Sequence, residues 1–263
     1  MASSWIDTFQ TLLGSRAHKP SFMVFDISQS GSHLLFDWFR SHEAITFQAD
    51  ILSQAVTLPR LSVYQRVRQS SKQVYGFHVS VEQLCRVQRL ADPNQFLQDL
   101  HRGGCRVIYV NRRNALHHAI ALLKAYSANY RFDRPASSPE EGKMIVDVSE
   151  LLACLTYLDH RRIEAAAILR EVPYLLLTYE DDLLNPTHHA TTASRLTTFL
   201  DISSMTIPIA SARISSLAPT HHRLVDIVAN LNEVHDGLDA SDYAYLLTDQ
   251  RYLMTSGLDD LAR

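Results

Sequence analysis

The chain has 263 residues, 46% hydrophobic and 20% charged, with a formal net charge of −3 at pH 7. That is a globular composition, long enough for one sizeable core. It lacks the basic tract of a nucleic-acid binder and any run near the roughly 18 apolar residues of a membrane span.

Met1 to Gln10 carries Asp7 and no apolar run, unlike a secretory leader. Cys85, Cys105 and Cys154 form no metal or redox motif and fit a reducing, cytoplasmic setting. Six of the 13 His fall in adjacent pairs: His117-His118, His188-His189 and His221-His222. Helical neighbours point about 100° apart, so such pairs do not share one ion, and no metal site is expected.

Residues 22–27 form an apolar run that reads as a buried parallel strand. The small polar turn Ser28-Gln29-Ser30-Gly31-Ser32 follows, and an amphipathic helix begins near His33 with Leu34, Leu35, Trp38 and Phe39 on one face. Further strands are expected over 73–78, 106–110 and 172–178. Helical periodicity marks 81–90, 94–101, 114–126, 148–170, 187–200 and 220–238. Strands separated by helices of this length predict a three-layer α/β/α fold with a central parallel sheet and a P-loop-like architecture. We expect a single domain over 1–263, with its core at 20–238, a polar candidate lid at 130–144 and a C-terminal extension at 239–263.

Strand, Gly/Ser turn and helix together make an anion site. Turn and first-helix amides, through Leu34, are unpaired, and the helix dipole adds about half a positive charge. Ser30 and Ser32 offer hydroxyls as well. The loop is not a Walker A loop, since the chain's Gly142-Lys143 pair is followed by Met144. In a parallel sheet ligands bind beyond the carboxyl ends of the strands. Those ends carry residues 28–32, then His78 and Ser80, then Asn111, Arg112, Arg113 and Asn114.

Taken in order, these segments resemble sulfotransferases that use 3′-phosphoadenosine-5′-phosphosulfate, in particular bacterial and cyanobacterial members acting on small molecules. Residues 29–33 resemble that family's 5′-phosphosulfate loop and residues 107–125 its 3′-phosphate motif. Residues 175–186 resemble its Tyr-Glu-Asp-Leu block; 212–216, leading into 227–235, resemble its C-terminal phosphate-contact loop and last helix. The resemblance implies a sulfuryl transfer to a hydroxyl or amine of a small-molecule acceptor, with no metal. It implies donor contacts from Gln29, Ser30, Gly31, Ser32, His33, Leu34, Arg112, Arg113, Tyr179 and Arg213. Arg113 is the first choice for the 3′-phosphate and Arg112 its competitor, one of the two being a surface or salt-bridge residue. Tyr179 is placed near the adenine.

Gln29 stands where the family carries Lys or Arg, so charge on the leaving phosphate falls to amides, His33 or Arg112. Ala121 replaces a Ser that would donate to the 3′-phosphate. His78 is the candidate general base, as a neutral imidazole near pKa 6.5, with His33 and Glu43 in reserve; the alternative for His78 is a strand-end residue satisfied by backbone. Two other readings stay open: a catalytically degenerate relative that binds a nucleotide or partner, and a nucleotide-dependent small-molecule kinase.

Overall fold

A computed structural model of the chain describes residues 19–126, 143–203, 205 and 224–248. Arg213, the 212–216 loop and most of the 130–144 and 239–263 segments lie outside the described residues.

Strand β1 (Ser21–Asp26) is buried along its whole length, as expected of a central parallel strand covered on both faces. It pairs in parallel with β3 (Val74–Ser80) on one side and β4 (Cys105–Asn111) on the other. Strands β2 (Ile45–Gln48) and β5 (Tyr174–Thr178) complete a five-stranded, all-parallel sheet in the order β2-β3-β1-β4-β5. Alternate residues of β1 serve two cores. Phe22 and Val24 face α1 (His33–Ser41), while Met23 and Phe25 face the opposite layer.

The opposite layer holds α2 (Pro59–Gln69), α3 (Pro93–Arg102), α4 (Ala115–Tyr126) and α5 (Val148–Leu169); α6 (His189–Leu200) joins α1. The three layers are therefore those predicted. Leu34, Leu35, Trp38 and Phe39 form the buried stripe of α1; side chains of these sizes contribute roughly 1.5–3 kcal/mol each when fully buried. Asp92 caps α3 ahead of Pro93, and Asp147 caps α5 by accepting from the Glu150 amide at 3.0 Å.

Two elements have no counterpart in the expectations: β2, whose four residues are too few for a clear alternation, and α2, whose polar sequence buries only Val63 and Val67. The helix expected over 81–90 is a short π-helical turn, Gln83–Val87. The one expected over 220–238 is described as two pieces, α7 (Leu224–Ile227) and α8 (Leu231–Asp239), and Val228 between them forms a bridge with Met144. A final turn, α9, covers Tyr245–Thr248.

The topology fixes where a ligand can enter. β1 leaves through α1 onto one face of the sheet, whereas its neighbours β3 and β4 leave through α3 and α4 onto the other. Loops that diverge from adjacent strands open a crevice at their carboxyl ends, here at β1.

Candidate anion site

Two residues of the loop after β1 have positive φ, Gln29 at 65° and Gly31 at 85°. The second needs glycine, because a Cβ there would lie 2.2 Å from Cδ2 of Tyr179. The three loop serines are turned inward. The Ser28 hydroxyl donates to Glu82 at 3.0 Å, that of Ser30 to the Ile27 carbonyl, and that of Ser32 to Asp26. Serine hydroxyls expected for phosphate are thus already donating within the protein. The amides of Gly31 and Ser32, in contrast, have no acceptor among the described residues. They immediately precede α1, at the positive end of its dipole, where an anion would be favoured.

Arg112 closes the crevice from β4. It is 2% exposed, lies 4.9 Å over the Tyr179 ring, and donates from Nη1 to the Gln29 carbonyl at 3.4 Å. Its buried Nε has no hydrogen-bond partner among the described residues. Burial pushes its pKa down, opposed by Tyr179 and Glu180. Arg113 turns outward into a two-pronged ion pair with Asp181, Nη1 to Oδ2 at 2.9 Å and Nη2 to Oδ1 at 2.7 Å. The adjacent Glu180 accepts from the Arg113 and Asn114 amides, both at 2.9 Å, and so caps α4. Arg113 can meet a phosphate only by leaving Asp181, whereas Arg112 already faces the loop.

Behind Arg112 lie two buried imidazoles. His118 Nε2 donates to the Ser28 carbonyl at 2.8 Å, and neither its Nδ1 nor His117 Nε2 has a hydrogen-bond partner among the described residues. Burial, followed by the charge of Arg112, drives both pKa values down to about 3. Tyr179, expected beside an adenine, is 1% exposed and fills the space between Gly31 and Arg112.

His78 does not fit the role of a neutral base. Its Nε2 lies 3.0 Å from Asp26 Oδ1 and its Nδ1 3.0 Å from Asp50 Oδ1. Two carboxylate acceptors require two N–H donors, hence an imidazolium. Burial opposes that charge, but Asp26 and Asp50 together outweigh it and raise the pKa to about 10. Of the reserve candidates, His33 sits exposed at the start of α1, its pKa lowered chiefly by desolvation. Glu43 precedes β2, at the amino edge of the sheet and away from the crevice.

No protein-family model matches the chain, and no curated protein matches it. Among solved structures it is similar to mouse sulfotransferase SULT7A1 complexed with PAP, at 16% identity and a TM-score of 0.44, covering 95% of this chain and 86% of that one. It is also similar to sulfotransferase STF9 from Mycobacterium avium, at 9% identity and a TM-score of 0.44, covering 94% and 81%.

The crevice brings together the loop 29–34, Arg112 and Tyr179, with His78 on the adjacent strand β3, in contact with Asp26 at the end of β1; Arg113 stands at its rim. Sequence reasoning missed Asp26, Asp50, Glu180 and His118. Asp26 did carry a signal, a carboxylate closing an otherwise apolar strand, because a buried acid needs a partner. Among the described residues, no helix is long and apolar enough to cross a membrane, and no group of His, Cys, Asp or Glu is placed to hold a metal ion.

Proposed function

We propose that this crevice binds the phosphates of 3′-phosphoadenosine-5′-phosphosulfate and that the protein moves the sulfuryl group to a hydroxyl or amine of a small molecule. Arg112 carries the proposal. A guanidinium this deeply buried, with an orphaned Nε and one long hydrogen bond, lacks the anion that such a charge calls for. The unpartnered Gly31 and Ser32 amides approach the same space and offer the geometry an anionic oxygen takes. Gln29 and His33 border the loop, the Leu34 amide expected to face the donor instead donates to the Gly31 carbonyl at 3.3 Å, and Arg213 is retained as a second phosphate contact from outside the described residues. Transfer is an in-line displacement: the acceptor oxygen or nitrogen bonds to sulfur as the sulfur–oxygen bond to the 5′-phosphate breaks, releasing 3′,5′-ADP.

One observation favours a second reading, nucleotide binding without turnover. His78 holds both its protons and Gln29 brings no charge to the leaving oxygen, so the two groups on which catalysis would ordinarily lean are inert.

Calorimetry with 3′,5′-ADP, 5′-AMP and ATP separates the readings. We expect 3′,5′-ADP to bind best, and Arg112→Gln to weaken it by roughly 1.5–3 kcal/mol, the value of a charge-assisted hydrogen bond. A loss that falls on Arg113→Ala instead would mean that the 3′-phosphate displaces Asp181. Equal affinity for 3′,5′-ADP and 5′-AMP refutes the sulfuryl-donor assignment, and preference for ATP points to a kinase. Transfer from labelled donor then distinguishes a catalyst from a binding protein.

A further inference from the structure

Flanking the edge strand β2 and the segment that follows it lies a cavity of about 460 Å³. Its lining includes Arg40, Phe47, Gln48, Asp50, Gln54 and Arg66. We propose that this cavity is the acceptor site, that it takes a small molecule carrying an anionic group as well as its nucleophilic hydroxyl, and that Asp50 receives the hydroxyl proton. The inference rests on the sulfuryl-transfer reading given above.

The volume falls within the range of roughly 300–1,000 Å³ typical of small-ligand pockets. One wall is braced from within the protein. The Gln88 side chain ties down the segment between β2 and α2, donating to the Leu52 and Gln54 carbonyls at 2.8 and 2.7 Å and accepting from the Val56 amide at 3.1 Å. Its charge is positive. Arg66 donates to the neutral Gln48 side chain at 3.1 Å, and Arg40 lies over the Phe36 and Phe47 rings with Asp37 no closer than 3.6 Å. Asp50, the one carboxylate of the lining, is balanced by the imidazolium of His78. Arg40 is shared between Asp37 and Asp50, but Arg66 meets, among the described residues, only the uncharged Gln48 and Tyr75 side chains, and its guanidinium favours an anionic ligand, by charge and by planar two-pronged geometry.

Asp50 is the group in this cavity able to take a proton. Its backbone turns at φ 52°, a left-handed conformation that Asp adopts more readily than most residues. There its Oδ1 accepts from His78 Nδ1 at 3.0 Å and Gln83 Nε2 at 2.9 Å, while Oδ2 carries no hydrogen bond among the described residues. The same His78 reaches Asp26, and Asp26 reaches Ser32 of the anion loop. An unbroken chain of side chains thus joins the cavity to the loop. As the acceptor oxygen bonds to sulfur, its proton passes to Asp50 Oδ2. The electron pair of the broken sulfur–oxygen bond leaves with 3′,5′-ADP. His78 acts as a positioning residue: it fixes Asp50 and stays protonated throughout.

The test uses 4-hydroxybenzoate and its neutral analogue 4-hydroxybenzamide, with the full-length protein. Calorimetry, with and without 3′,5′-ADP, should show the benzoate binding at least about tenfold more tightly than the amide, and Arg66→Gln should abolish the difference, on the scale of one charged hydrogen bond. With labelled donor, Asp50→Asn should lower transfer to 4-hydroxybenzoate by about 10²–10⁴-fold, the range for removal of a general base, with the affinity for 4-hydroxybenzoate retained. Equal binding of the two probes, absence of binding by both, or full transfer by Asp50→Asn overturns the proposal. Failure of wild-type protein to bind 3′,5′-ADP overturns the sulfuryl-transfer reading instead, and the preference for benzoate without nucleotide still reports on the cavity.

Discussion

The buried histidines make stability against pH an informative experiment. His78 is held at about 10, above its ordinary value of 6.5, and His117 and His118 at about 3, below it. A raised pKa stabilises the fold fully below 6.5, and the contribution drains away as pH climbs toward 10, because only the folded state still holds the proton. A lowered one does the reverse. Below 6.5 the unfolded chain takes up protons that the folded His117 and His118 refuse, so stability falls as the solution is acidified. Each proton of difference changes the unfolding free energy by about 1.4 kcal/mol per pH unit.

Stability should therefore peak near pH 6.5 and fall on both sides. By pH 8 the loss from His78 is about 2 kcal/mol, and by pH 5 the loss from the two neutral imidazoles is about 4 kcal/mol, large against the 5–15 kcal/mol that holds a domain of ordinary stability. His33, also lowered, steepens the acid limb, whereas Asp50, held below 3.8 chiefly by its bond to His78, acts only in stronger acid. Urea unfolding followed by circular dichroism from pH 5 to 9 reads both limbs. His117→Leu, which replaces an imidazole whose Nε2 has no partner, should take one proton out of the acid slope without loss at pH 8. A stability that rises steadily from pH 6.5 to 9 would refute an imidazolium at His78, and a flat acid limb would refute the buried neutral pair.

Gly31→Ala should cost about 2–5 kcal/mol in urea unfolding, from a left-handed alanine and from its Cβ meeting Tyr179 at 2.2 Å; adding Tyr179→Leu should recover only the steric share, and a loss under about 1 kcal/mol would place the ring elsewhere. Glu180→Ala leaves the Arg113 and Asn114 amides without their acceptor and should cost about 1–3 kcal/mol, visible as a lower unfolding midpoint.

The parts of the fold legible in the sequence are those where one local signal suffices. β1 announces itself because both its faces are covered, so six successive residues had to be compatible with burial. α1 shows in the spacing of its stripe, and α5 begins and ends within a residue of its expected bounds. β2 and α2 were not legible, because a four-residue strand and a mostly exposed polar helix are set by what they pack against.

The site divides along the same line. Residues 28–33 were recognisable as a turn from strand to helix, since the order of strand, Ser/Gly turn and helix is local. What the loop's groups do is decided from far along the chain. Ser28 is occupied by Glu82, 54 residues away, and Gly31 is overlaid by Tyr179. Arg112 and Arg113 are chemically identical neighbours at a strand end, and alternation along the strand says only that they point to opposite sides. Asp181 and Glu180, from the turn after β5, draw Arg113 out and cap α4, leaving Arg112 in the interior against the loop. His78 shows the same dependence. Its position at the carboxyl edge was readable, but its proton was not, because charge on a buried imidazole depends on acids brought in by two other strands. Burial works against the charge on the ring, and Asp26 first, then Asp50 from the segment after the unforeseen β2, outweigh it.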